Sequence, residues 1–156
     1  MTGFADAGAP APEFRIATDG GGTVSLADFA GRKLVIYFYP KADTPGCTKE
    51  AMDFNRLRPE FEKAGAAILG VSADPVQAQD KFKAKYGLAF PLGADPAHEM
   101  LAAYGVWGEK SMYGRKYMGV LRVTYLIGKD GRVARVWPNV KVTGHAEEVL
   151  EATRAL

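Results

Sequence analysis

The chain has 156 residues, with 20 basic against 18 acidic side chains and a formal net charge of +2 at pH 7. That length suits one domain spanning residues 1–156, burying about 70% of its unfolded surface without staples, and the near balance of charge argues against a nucleic-acid surface or an acidic tail. A single cysteine excludes an intramolecular disulfide and fits a reducing compartment.

The opening segment, Met1 to Pro10, lacks the basic flank and apolar core of a secretory signal. No run approaches the roughly 18 apolar residues of a membrane span. A cytoplasmic protein without membrane attachment is therefore expected.

Ala9-Pro10-Ala11-Pro12-Glu13 is expected to be extended, because each proline fixes its own φ and disfavours helix in the residue before it. Phe14 to Ala17 and Thr23 to Ser25 flank Asp19-Gly20-Gly21-Gly22, which reads as a hairpin turn whose glycines supply positive φ. A phosphate-cradling loop is the alternative, but no Gly-Lys-Ser/Thr ending supports it. Leu34 to Tyr39 is continuously apolar, as in a central strand covered on both faces.

After Cys47, the spacing of Met52, Leu57 and Phe61 predicts a helix that Pro59 should kink or restart. Ala66 to Ser72 predicts a second buried strand. A helix should run to Tyr86 with Asp74 as its cap, Pro75 in its first turn and Gly87 beyond its end. A short strand around Phe90-Pro91-Leu92 and a helix from about Pro96 to Tyr104 follow. Gly105 to Gly119, with four glycines and no clear period, reads as a long loop.

Leu121 to Ile127 and Arg132 to Trp137 read as strands joined at Gly128-Lys129-Asp130-Gly131, with Asp-Gly as the turn signal. His145 to Ala155 closes the chain as a helix that places Ala146, Val149, Leu150 and Thr153 on one face. Strands alternating with helices indicate an α/β domain built on a mixed central sheet flanked by helices.

Cys47 stands where an apolar strand turns into a helix. Unpaired amides and the positive end of the helix dipole favour thiolate there. A guanidinium is the stronger source of positive potential, and Arg122, entering a late strand, is the candidate. A lone cysteine is more often an inert buried hydrophobe than a nucleophile, so the surrounding residues carry the argument. Glu50 could reach Arg122 or complement the helix dipole, and the dipole reading is slightly favoured. His98 and His145 have no second ligand at metal spacing, so surface or capping roles are expected and no metal site is proposed.

The run Pro40-Lys41-Ala42-Asp43-Thr44-Pro45-Gly46-Cys47-Thr48 resembles the peroxidatic-cysteine signature of peroxiredoxins. Tyr37 to Ala51, Gly70-Val71-Ser72-Ala73-Asp74 and Arg122-Val123-Thr124-Tyr125-Leu126-Ile127 resemble the bacterioferritin comigratory protein, or peroxiredoxin Q, subfamily, and the similarity extends from about Pro12 to the final helix. The resemblance implies a thioredoxin-like fold and reduction of hydrogen peroxide and organic hydroperoxides without metal, haem or flavin. Cys47 would be the nucleophile, Thr44 the hydroxyl that hydrogen-bonds peroxide and sulfur, Pro40 the shield of the thiolate and Arg122 the orienting guanidinium. The amides of Gly46 and Cys47 would complete the substrate cradle.

The subfamily commonly carries a resolving cysteine five residues after the nucleophile, a position held here by Met52. A Cys47 sulfenic acid must then be reduced by an external thiol: thioredoxin, glutaredoxin or glutathione. The resemblance also implies a monomer. A peroxide-responsive redox sensor or a chaperone-like binding protein on the same fold is the alternative reading, and a dithiol oxidoreductase is disfavoured because no Cys-x-x-Cys pair exists. Trp107, Met112, Tyr113 and Tyr117, interspersed with Lys110, Arg115 and Lys116, form either a solvated flap or a guide for an anionic thiol donor or partner protein.

Overall fold

In the computed structural model, which describes residues 4–156, the longest apolar run of the chain lies in the interior of a sheet. Residues 1–3 of the opening segment read above for a secretory signal lie outside the described residues. Strand β3 (Lys33–Phe38) is buried at every residue and pairs parallel with β4 (Ala66–Ser72) and antiparallel with β8 (Val123–Ile127). β4 pairs parallel with β5 (Leu92–Ala94), and β5 pairs antiparallel with β1 (Arg15–Thr18). The hairpin partner β2 (Thr23–Ser25) and the last strand β9 (Val133–Trp137) form the two edges, giving the order β2-β1-β5-β4-β3-β8-β9.

Alternation along β3 sorts the core into two layers. Leu34, Ile36 and Phe38 face a cluster with Phe14, Leu69, Tyr104 and Tyr125. Val35 and Tyr37 face the other, with Cys47, Phe54, Phe61, Phe82, Val149 and Leu150. The second layer is closed by helices α1 (Pro45–Lys63), α2 (Val76–Tyr86) and α4 (His145–Ala155). A short α3 (Glu99–Ala103) contributes Met100 and Leu101 to the first.

Several expectations meet corrections. The helix after Cys47 is continuous over 19 residues and contains Pro59 without restarting. The one backbone bond that proline forfeits is outweighed because Phe54 and Phe61, on either side of it, are fully buried. Asp74 does not cap α2. Pro75 occupies the cap position, while the Asp74 carboxylate accepts from the Ala42 amide at 2.8 Å and from Ser72 Oγ at 2.7 Å. Gly87 ends α2 in the left-handed region, with φ of 63°, as Gly at that position should.

The strand expected around Phe90 begins at Leu92, and α3 is shorter than the expected 96–104. The largest departure is at 105–119, which is a hairpin of β6 (Trp107–Met112) and β7 (Arg115–Val120) rather than a loop. Its turn is the pair Tyr113-Gly114, with φ of 52° and 78°, the positive values that a two-residue hairpin turn requires.

His145 is also not a surface residue. It is 6% exposed, and its Nε2 lies 2.8 Å from Thr124 Oγ1.

Candidate active site

Two strand ends meet at the site. β3 runs out at Phe38, and the chain passes through Tyr39 and Pro40 into the loop that opens α1. β8 runs the opposite way, with Val123 paired to Phe38, so the residue just before it, Arg122, arrives at the same edge. Antiparallel pairing thus brings together residues 75 positions apart.

Cys47 is the third residue of α1 and 1% exposed. The first intrahelical bond here is Thr48 N–H to Thr44 O, at 2.8 Å. The Gly46 and Cys47 amides precede it, among the helix-start donors that have no intrahelical acceptor. Arg122 Nη2 donates to Cys47 Sγ at 3.4 Å. A Cβ at position 46 would lie 3.3 Å from that Nη2, so glycine lets the guanidinium approach the first turn. Helix amides and guanidinium both place positive potential at the sulfur.

Glu50 holds the other arm of the guanidinium. Arg122 Nη1 donates to Glu50 Oε1 at 2.7 Å, with the Glu50 side chain 1% exposed. The favoured reading of Glu50 as a dipole complement is therefore corrected: one turn beyond Cys47, it points along the same helix face into the site. Burial pushes its carboxyl up to about 7, with Arg122 pulling against that rise. Among the described residues, neither Glu50 Oε2 nor the Tyr37 hydroxyl, both buried, has a hydrogen-bond partner, and burial raises the Tyr37 phenol well above its ordinary range. The spacing of three between Cys47 and Glu50 was the sequence signal for a shared face.

The loop is tied down from below. Besides the Ala42–Asp74 bond, Asp43, at φ of 60°, accepts from Tyr86 Oη at 2.6 Å and Lys85 Nζ at 2.9 Å. Those two contacts, the tyrosine bond first, hold its carboxyl below the usual range. Under Asp74, Gln79 donates to Ser72 Oγ at 2.9 Å and accepts from Tyr39 Oη at 2.6 Å. This network reaches from α2 to the residue before Pro40, which is itself half-buried. Gln79 was not singled out from sequence, and Asp74 was read there as a helix cap rather than as a tie to the active-site loop.

Thr44 occupies the N-cap position without capping the helix. Its hydroxyl donates to Lys41 O at 2.8 Å, so the single proton is not on the sulfur. Among the described residues no cluster of three or more His, Cys, Asp or Glu could hold a metal ion, and no helix is long and apolar enough to cross a membrane.

The AhpC/TSA family model matches residues 7–136. The chain belongs to that family and is a peroxiredoxin. Peroxiredoxin Bcp of Xanthomonas campestris pv. campestris is 51% identical over 140 residues, covering 90% of this chain and 88% of that one. Peroxiredoxin Bcp of Bacillus subtilis is 43% identical, covering 94% of each. Among solved structures, Xanthomonas campestris Peroxiredoxin Q superposes with a TM-score of 0.90 at 48% identity, covering 97% of this chain and 98% of that one. The bacterioferritin comigratory protein of the same organism, described for its alkyl peroxide reduction activity, gives 0.90 at 47%, covering 96% and 98%. These likenesses bear out the expected thioredoxin-like α/β fold.

Proposed function

We propose that the chain is a one-cysteine thiol peroxidase acting on hydrogen peroxide and organic hydroperoxides. The observation that carries this is the Arg122 guanidinium 3.4 Å from a sulfur seated in the first turn of α1. A Cys47 thiolate attacks the terminal peroxide oxygen, the O–O bond breaks, and negative charge moves to the departing oxygen, which takes a proton and leaves as water or alcohol. Cys47 becomes a sulfenic acid. Arg122 and the Gly46 and Cys47 amides face the region where that charge develops, and a fixed donor there contributes about 2.7–4 kcal/mol by analogy with an oxyanion hole.

Thr44 Oγ1, donating to Lys41 O, keeps its lone pairs for the O–H of an incoming hydroperoxide. Pro40 shields the thiolate side of the pocket. The sulfenic acid is reduced by an external thiol, with thioredoxin, glutaredoxin and glutathione as candidates. We read the protein as a monomeric single domain of the cytoplasm, where a reducing milieu suits a lone thiol.

The test is stopped-flow mixing of the reduced protein with hydrogen peroxide, followed by a thiol. Oxidation should greatly outpace that of free cysteine, Cys47→Ser should abolish it, and the thiol should restore repeated turnover. Oxidation no faster than free cysteine would sink the proposal, whereas fast oxidation without turnover would turn the reading toward a redox sensor. With Met52 at the usual resolving position and no other cysteine, excess peroxide without thiol should drive Cys47 on to the sulfinic acid. Intact-mass spectrometry should show two added oxygens, and a species that stops at one would contradict this.

A further inference from the structure

Because Cys47 has no partner cysteine, each turnover on the peroxidase reading above needs a thiol that enters from outside. The β6–β7 hairpin forms a two-stranded sheet of its own, and directly opposed residues share a face. One face carries Trp107, Glu109 and Ser111 opposite Val120, Met118 and Lys116. The other carries Gly108, Lys110 and Met112 opposite Gly119, Tyr117 and Arg115.

Charge divides unevenly between these faces. Glu109 is the sole acidic residue of the hairpin; it lies on the first face and pairs with Lys116 at 3.5 Å. The second face therefore has two cations, Lys110 and Arg115, and no anion, beside exposed Tyr117 and Met112.

The base of that second face adjoins the strand end that carries Arg122. A Cβ on Gly108 would come within 3.2 Å of Leu121 Cδ1, and one on Gly119 within 3.0 Å of Lys110 Cδ. The opposed glycines thus leave a notch along which the lysine stem lies. Lys110 Nζ ends on Val120 O at 3.0 Å, two residues before Arg122. Arg122 in turn reaches Cys47 Sγ with Nη2 at 3.4 Å, and burial first, then that guanidinium, lowers the Lys110 pKa. Cys47 itself, 1% exposed, lies too deep for a thiol carried on a broad protein surface while α1 stays folded. A small molecule meets no such limit.

We propose that the Lys110, Tyr117 and Arg115 face is the docking lane of a small anionic thiol, its carboxylates held by the two cations and its sulfur aimed at oxidised Cys47. The incoming sulfur attacks the sulfenic sulfur, an S–S bond forms, and the S–O bond breaks. The hydroxide takes the thiol proton and leaves as water. A second thiol attacks the mixed disulfide, releasing Cys47 as thiolate and an external disulfide, so two thiols return the two electrons that the peroxide removed.

The experiment mixes pre-oxidised protein with glutathione, which carries two carboxylates and a net negative charge, or with cationic cysteamine. Each rate is normalised to that thiol's reactivity toward a neutral small disulfide. Glutathione should be preferred by about tenfold at low salt, and the preference should fall toward unity when the Debye length shrinks to about 3 Å near 1 M salt. Lys110→Gln with Arg115→Gln should remove most of the preference, and Lys110→Arg should retain it. Equal normalised rates, an absent salt dependence, a double variant with its preference intact, or reduction by protein dithiols alone would each overturn the lane. Failure of peroxide to oxidise Cys47 in the first mixing step would instead sink the peroxidase reading beneath it.

Discussion

Replacing Arg122 with Met should slow peroxide oxidation of Cys47 by about 10²- to 10³-fold, the loss expected when one donor aimed at developing charge is removed. Met keeps most of the side-chain volume while deleting both the donor to Sγ at 3.4 Å and the partner of Glu50 at 2.7 Å. The second deletion has its own signature. Glu50, still buried, would lose the cation that opposes the rise of its pKa, so its carboxyl should climb further and stay protonated at neutral pH.

Glu50→Gln, which keeps an acceptor for Nη1 but no charge, should therefore have little further effect on the Arg122→Met background. Alone, it should change the oxidation rate far less than Arg122→Met does. A double-mutant cycle on the stopped-flow rates measures this coupling. Unchanged peroxide kinetics in Arg122→Met would remove the guanidinium from the mechanism.

How far the sequence carried the argument depended on how locally each feature is encoded. β3, β4 and α4 were legible because uninterrupted apolar runs and a 3.6-residue period are direct consequences of two-sided and one-sided burial. The β6–β7 hairpin was not. Of its twelve strand residues only Val120 is buried, so no apolar alternation was imposed, and its turn uses Tyr-Gly instead of the stronger Asn-Gly or Asp-Gly signal.

At the site, Cys47 and Arg122 could be named from motif and strand context, since a helix start and a strand end are sequence-readable. The Glu50 ion pair, the Asp74 tie to Ala42 and the burial of His145 each depend on what another element brings alongside. Asp74 looked like a cap because Asp-Pro before a helix usually is one, and a competing backbone amide from the active-site loop took its carboxylate instead.

Two buried groups should give this protein an unusually flat stability profile between about pH 4.5 and 6.5, a balance that single substitutions would expose. His145 is pulled down to about 4 by burial, with Glu148 opposing and Arg122 and Arg135 adding to the depression. Its contribution is complete above its unfolded value near 6.5 and is lost as pH falls toward 4. Glu50 behaves oppositely. Burial raises it to about 7, so its contribution is complete below its unfolded value near 4.5 and is lost as pH rises toward 7.

Each shift corresponds to at most roughly 3.5 kcal/mol, and the two slopes oppose each other over the shared window. Exposed carboxylates held low by partners, such as Asp43 and Glu147, begin to lose theirs only around and below about 4.5. His145→Gln keeps an amide for the Thr124 hydroxyl at 2.8 Å but cannot titrate. In that variant, urea midpoints should fall as pH rises from 4.5 to 6.5, because Glu50, joined by Asp95, whose carboxyl burial also raises, is then unopposed by the histidine. Glu50→Gln should show the reverse, with midpoints rising over the same interval. Comparing each variant with the parent at every pH cancels contributions common to both. Parallel profiles for all three proteins would mean that neither buried group keeps its shifted pKa in the folded state.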